Sequence, residues 1–182
     1  MNAFANTDLT ADALASDAMN NRAFFNTDPA LESGIGIKVF IGDWGFKTKR
    51  AGGSNKAFSA RMTIVRKPYE RLLSAKPGPN DEALVIQQQE IMQKLLIRAS
   101  AEKLLLPEWE GVTLADLHAS LEDGSMPEGM TASDPAPFSI ENAVLLFSRF
   151  PESFDEFFGE ASKMGNFRRQ LVQDQAGNSA SA

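Results

Sequence analysis

The chain's single histidine, His118, stands two positions after Asp116, and acid–base or nucleophilic chemistry would have to begin with that pair. Such chemistry needs a nucleophile or a second ligand beside the imidazole, and no Ser, Cys or second His falls in that arrangement. His118 therefore reads as a surface or half-buried residue. Carboxylates are plentiful after residue 107, but no spacing selects two of them as acid and base, and a solvated acidic face is the simpler reading. The stretches Gly34-x-Gly36 and Gly52-Gly53-Ser54 invite comparison with phosphate cradles. Neither continues into the Lys-Ser or helix-opening pattern that chemistry needs, so both read as turn glycines. With no cysteine, the chain has no disulfide framework, thiolate zinc site or cysteine nucleophile. We assign no catalytic, cofactor-binding or metal-ligating residue, and expect a binding protein without enzymatic activity or cofactor.

The elements that would position a binding surface follow from periodicity and punctuation. Ile35, Ile37, Val39 and Ile41 alternate with Gly36, Lys38, Phe40 and Gly42, the period of a strand with one buried face. Gly42-Asp43-Trp44-Gly45 supplies a turn, and Phe46 to Arg50 can return as a second strand, making a β-hairpin or small meander. A hairpin is marginal alone in water, so it must pack on helices or join a partner's sheet. Lys56 to Leu73 predicts a helix broken or restarted near Pro68, and Lys76 to Asn80 predicts a break. Asp81 is placed to cap a long helix to about Leu106, with Leu84, Ile91, Leu95 and Ala99 on one face. Trp109, just past its end, reads either as a staple on the core or as a partner hot spot.

A short helix is expected within Val112 to Leu121, then an irregular loop from Asp123 through Pro137. Ser139 caps a helix carrying Ile140, Ala143, Val144 and Phe147, and Pro151 opens a last amphipathic one with Phe154, Phe157, Phe158, Ala161, Met164 and Leu171. Gly159 and Gly165 mark bends in it. The architecture expected is α+β: a mostly helical single domain over residues 34–172 with a small N-terminal β-hairpin or sheet. Residues 1–33, with a short helix between Asp12 and Asn20, are expected to be a flexible extension, and residues 173–182 a flexible tail.

Hydrophobic residues at 43 % and charged residues at 23 % suit a soluble globular protein. No apolar run approaches the roughly 18 residues needed to cross a bilayer, and the first residues lack signal-peptide features, so a cytoplasmic protein is expected. The net charge of −6 conceals an uneven distribution. Residues 34–71 hold nine bases against two acids, whereas residues 107–182 hold four against thirteen. Either the two regions face each other in the fold or the basic one meets an external partner. Phe40, Trp44, Phe46 and Phe58 interleave with the basic residues as in a single-strand binder. The acidic remainder would repel phosphate, however, and no nucleic-acid motif is present, so none is expected as a partner.

Four segments stand in an order with family character: Arg50-Ala51-Gly52-Gly53-Ser54-Asn55-Lys56-Ala57-Phe58, Leu106-Pro107-Glu108-Trp109-Glu110-Gly111-Val112, Phe138-Ser139-Ile140-Glu141-Asn142 and Gly165-Asn166-Phe167-Arg168. Together they resemble the tail assembly chaperones of long-tailed bacteriophages over roughly residues 34–172. Two departures are the longer Ser125 to Pro137 segment and the N-terminal extension. The resemblance implies a protein that keeps tape-measure and tail tube proteins soluble in the host cytoplasm and is absent from the mature virion. A frameshifted longer form of the same protein, which the family often makes, is a further implied partner. The alternative is a structural tail component retained in the virion. Under the chaperone reading the client contact is expected at Lys47, Lys49, Arg50, Trp109, Phe150, Phe154, Phe157, Phe158 and Phe167. Most of these phenylalanines also suit a core.

Overall fold

The computed structural model of the chain describes residues 26–118 and 129–168. A π-helical turn at Leu31–Ile35 leads into strands β1 (Ile37–Ile41) and β2 (Trp44–Thr48), joined through Gly42 and Asp43. Helix α1 (Lys56–Arg66) passes through a 3-10 turn at Lys67–Tyr69 into the short α2 (Glu70–Leu73). The long α3 (Glu82–Lys103) is followed by β3 (Leu105–Glu110) and the single-turn α4 (Leu114–Leu117). Helices α5 (Ile140–Arg149) and α6 (Pro151–Ser162) and a 3-10 turn at Met164–Phe167 complete the described chain. The expected helix between Asp12 and Asn20, the tail after residue 172 and the 123–128 part of the 123–137 loop lie outside the described residues.

The three strands form an antiparallel meander in the order β1-β2-β3. Val39 sits opposite Phe46 and Ile41 opposite Trp44, so the alternation in β1 places Val39, Ile41, Phe46 and Thr48 on one buried face. The helices cover that face. Phe46 has its ring centroid 5.4 Å from Phe147 of α5 and 5.6 Å from Phe157 of α6, and Phe147 stacks on Phe157 at 5.0 Å. Aromatic contacts at such separations add to the area they bury. The architecture is α+β, as the sequence implies.

β3 is a departure from expectation, since the sequence extends the long helix to about Leu106. The run Leu104-Leu105-Leu106 fits a helix face as well as a buried strand. Pro107 decides the matter by pushing Leu106 out of the helical region, and β2 is there to pair with the segment from Leu105 to Glu110. Lys49 N donates to Leu104 O at 2.9 Å, and Phe46 then pairs with Trp109. The register slips between Phe46 and Thr48, which face Trp109 and Leu105, and that irregularity takes up Pro107, which has no amide to give a ladder.

The helix breaks fall where proline and turn chemistry put them. Pro68 sits in the 3-10 turn between α1 and α2. Ser139 Oγ accepts from Asn142 N at 3.0 Å, and Pro151 occupies the first turn of α6. Asp81 does hold the N-cap position of α3, but its carboxylate turns back to accept from Gly78 N at 2.8 Å. Deep burial in α3 is confined to Ile97, Ala99, Ser100 and Ala101; Leu84, Ile91 and Leu95 are half-buried. The first half of α3 thus forms, with α2 and the end of α1, an arm beyond the core, while Phe58 at the start of α1 is buried in it. α6 ends at Ser162 instead of continuing, and Asn166 Nδ2 donates to Glu160 O at 3.0 Å as the chain turns.

The ordered body also starts upstream of residue 34. Asp28 N donates to Phe167 O at 2.8 Å, and Glu32 is 1 % exposed. Asn55 is a second buried polar tie: its Nδ2 donates to Arg50 O at 2.9 Å and Lys103 O at 3.3 Å, joining β2's exit to the end of α3. Asn55→Ala strands both carbonyls and should cost about 1–3 kcal/mol in urea unfolding. An unchanged midpoint would show that water replaces the amide there.

Candidate interaction surface

The meander carries helices on one face. On the other, Lys38, Phe40 and Lys47 of the hairpin lie beside Glu108 and Glu110 of β3, because alternate residues of a strand point to opposite sides. Phe40 is 59 % exposed, with the Lys38 ammonium 5.0 Å from its ring centroid, and Ile35 at the strand's entry is 62 % exposed. Lys38 Nζ lies 2.6 Å from Glu110 and Lys47 Nζ 2.9 Å from Glu108. These pairs are exposed, worth little in stability, and readily exchanged for a partner's charges. Gly45 keeps this face flat: a Cβ there would sit 2.7 Å from Glu110 Cγ, so the glycine lets the glutamate lie across β2 towards Lys38. Glu108, Glu110 and the hairpin line a cleft of about 260 Å³. Among the described residues, no backbone hydrogen bond pairs β1 on the side away from β2. An edge of that kind accepts an added strand.

Of the two arrangements left open by charge, the structure shows the internal one at the hairpin. Lys38 and Lys47 meet β3's acids, and Arg50 meets Glu32. That last pair gives the glycine-rich loop its purpose. Glu32 Oε2 accepts from Ser54 N at 2.6 Å, Oε1 accepts from Arg50 Nη1, and Gly53 (φ 56) approaches so closely that a Cβ would lie 2.6 Å from the carboxylate. Gly52-Gly53-Ser54 does cradle an anion, and the anion is the chain's own. Burial acts to raise the Glu32 pKa. The Thr27 side chain, the Ser54 amide, Arg50 and the Ser54 hydroxyl outweigh it and hold the carboxyl at about 2, against an ordinary 4.5.

Asp116 has a structural task in the fold. Asp116 Oδ2 accepts from Thr113 N at 2.7 Å and Thr113 Oγ1 at 2.8 Å, capping α4.

The residues expected at a client contact are distributed unevenly. Lys47 lies on the open face, and Lys49 and Arg50 are half-buried at the end of β2. Trp109 is a staple: Nε1 donates to Ala136 O at 2.8 Å and the ring meets Phe138 edge-on at 5.2 Å. Phe154, Phe157 and Phe167 are at most 1 % exposed and belong to the core. Phe150 is half-buried against Trp44 at 5.1 Å, and Phe158 against Phe58 at 6.0 Å. The aromatic series thus builds the support of the sheet and does not form a surface of its own. Lys38, Glu108 and Glu110 carry no signal of a site in the sequence, and Phe40 only that of an aromatic among basic residues, although the Ile35 to Ile41 alternation already sets Lys38 and Phe40 on the outer side.

A family model described as YdaY prophage protein matches residues 53–178, from the glycine-rich loop through α6 and beyond. The chain belongs to the YdaY prophage protein family. It is therefore of phage origin. Neither the curated proteins nor the solved structures give a match to this chain. The YdaY match begins at Gly53, so the β1–β2 hairpin that supplies much of the open face precedes it.

Proposed function

We propose that this YdaY-family chain is a non-enzymatic tail assembly chaperone of a long-tailed bacteriophage. It binds tape-measure or tail tube protein in the host cytoplasm, keeps the client soluble, and leaves before the virion is complete. The observation that carries this reading is the open sheet face: an exposed phenylalanine and isoleucine among exchangeable charge pairs, next to a strand edge unpaired among the described residues. A client with an exposed apolar stripe is an aggregation hazard that such a surface can cover. Phage origin supports the reading. So do the structural roles of the segments that carry the chaperone resemblance: Asn55, Trp109 and Asn166 tie elements together, and Ser139 caps α5.

The test is co-expression with each client and measurement of soluble client. Lys38→Glu with Phe40→Glu changes exposed side chains, so folding stability should stay within about 0.5 kcal/mol of wild type. Soluble client should fall to the level seen without chaperone. Full solubilisation by this variant would remove the open face from the account.

A further inference from the structure

The helical arm carries a basic surface that the hairpin's internal pairing leaves untouched. Ile64, Lys67 and Arg71 stand at i, i+3 and i+7, all exposed, with Ile64 at 61 %. Arg66 is exposed beside them. Among the described residues, no carboxylate lies within 4 Å of these three cations. Glu70 is exposed among them and lines the same cleft as Arg66 and Lys67, so the patch is net positive and not uniformly basic; an apolar residue beside such charge suits an acidic, partly apolar counterpart.

The same chain carries that counterpart. Between α3 and α6 lies a groove of about 430 Å³ with Ile86, Met92, Leu96 and Phe154 on its walls and Glu90 and Asp155 at its rim. Ile86 is 55 % exposed. α6 holds four carboxylates and no basic residue, and Glu152, Asp155 and Glu156 are exposed or half-buried at its surface. In the chain itself the arm is tied down by other contacts. Gln88 Nε2 donates to Leu72 O and Ala75 O, both at 2.8 Å, and Arg61 forks onto Glu102. These contacts hold α1 and α2 against the Gln88 edge of α3, while the groove runs from Met92 and Leu96, nearer that edge, round to Ile86, Glu90 and Gln93 on the far side, at a helix's 3.6-residue period.

We propose that the Ile64, Lys67 and Arg71 face of one chain docks in the acid-rimmed α3/α6 groove of a second copy. Ile64 enters between Ile86, Leu96 and Phe154, while Lys67 and Arg71 meet Glu90 and Asp155. The two patches differ, so the contact is head-to-tail and propagates into rings or open strings of chains. Because its specificity is electrostatic, salt weakens it.

Sedimentation of the isolated full-length chain over a range of concentrations tests this. Wild-type mass should rise with concentration, and the midpoint should move to higher concentration as salt is added. K67E/R71E and E90K/D155K should each stay monomeric, with association weakened by about tenfold or more. An equimolar mixture of the two should associate again, because the reversed arm then meets the reversed groove. All four positions are exposed, and circular dichroism checks that the variants fold; I64D, removing the apolar plug, should also be monomeric. A wild-type chain that stays monomeric, a charge variant that associates like wild type, or a mixture that stays monomeric overturns the proposal. So does a client helix found in the groove of a monomeric wild-type chain.

Discussion

Phe46→Ala should lower folding stability by about 3–5 kcal/mol, the range for removing a fully buried phenylalanine ring. Phe46 is 0 % exposed and stands where the layers meet. Its ring touches Trp44 on its own strand, Phe147 on α5 and Phe157 on α6. The neighbours are themselves pinned: Phe147 and Phe157 stack on each other, and Phe154 packs on both. A cavity there cannot collapse without moving two helices, which places the cost at the upper end. Since net stabilities of domains this size are about 5–15 kcal/mol, the variant should be partly unfolded at modest urea concentration. A loss under about 1 kcal/mol would mean that the sheet and helices do not share the core described.

Glu32→Gln should be similarly costly, about 3–5 kcal/mol, because it leaves the Arg50 guanidinium without its counter-charge. The pH dependence distinguishes this from ordinary packing loss. The folded-state pKa of Glu32 is held at about 2, below its ordinary 4.5, so the unfolded chain binds the proton more tightly. The stabilisation is therefore complete above about pH 4.5 and is lost as pH falls through the folded pKa near 2. A shift of that size corresponds to about 3 kcal/mol. Glu102, half-buried but forked by Arg61 and bonded by Arg98, and Glu160, bonded by Lys163 and Asn166, are also held below the usual range and add slope of the same sign. Wild-type stability should fall between about pH 5 and 2, and the Gln variant should show a shallower fall. Parallel curves would show that Glu32 does not act as an ionised group.

The parts of this fold that were legible in the sequence are those governed by local rules. The alternation around Val39, the break at Pro68, the cap at Ser139 and the helix start at Pro151 depend on residues within a few positions of one another. The illegible parts depend on distant pairing. Leu105 and Leu106 of β3 read as the end of a helix until β2 is there to receive them. Gly52-Gly53-Ser54 reads as a turn because its anion, Glu32, lies some twenty residues upstream. The phenylalanines of α5 and α6 announce amphipathic helices, but spacing alone does not say whether an apolar stripe meets the core or a partner. Phe154, Phe157 and Phe167 meet the core. The open face is hidden for the converse reason: Lys38 and Phe40 look ordinary until the sheet's register brings Lys38 to Glu110 and Lys47 to Glu108.

The central claim is that this YdaY-family chain holds phage tail proteins through its open sheet face. The most direct measurement is size exclusion with light scattering on the chain co-expressed with tape-measure and tail tube proteins, for wild type and for the Lys38→Glu, Phe40→Glu variant. The account predicts a soluble complex of defined mass with wild type, and aggregated client with the variant. Clients that aggregate equally beside wild type and variant would contradict it.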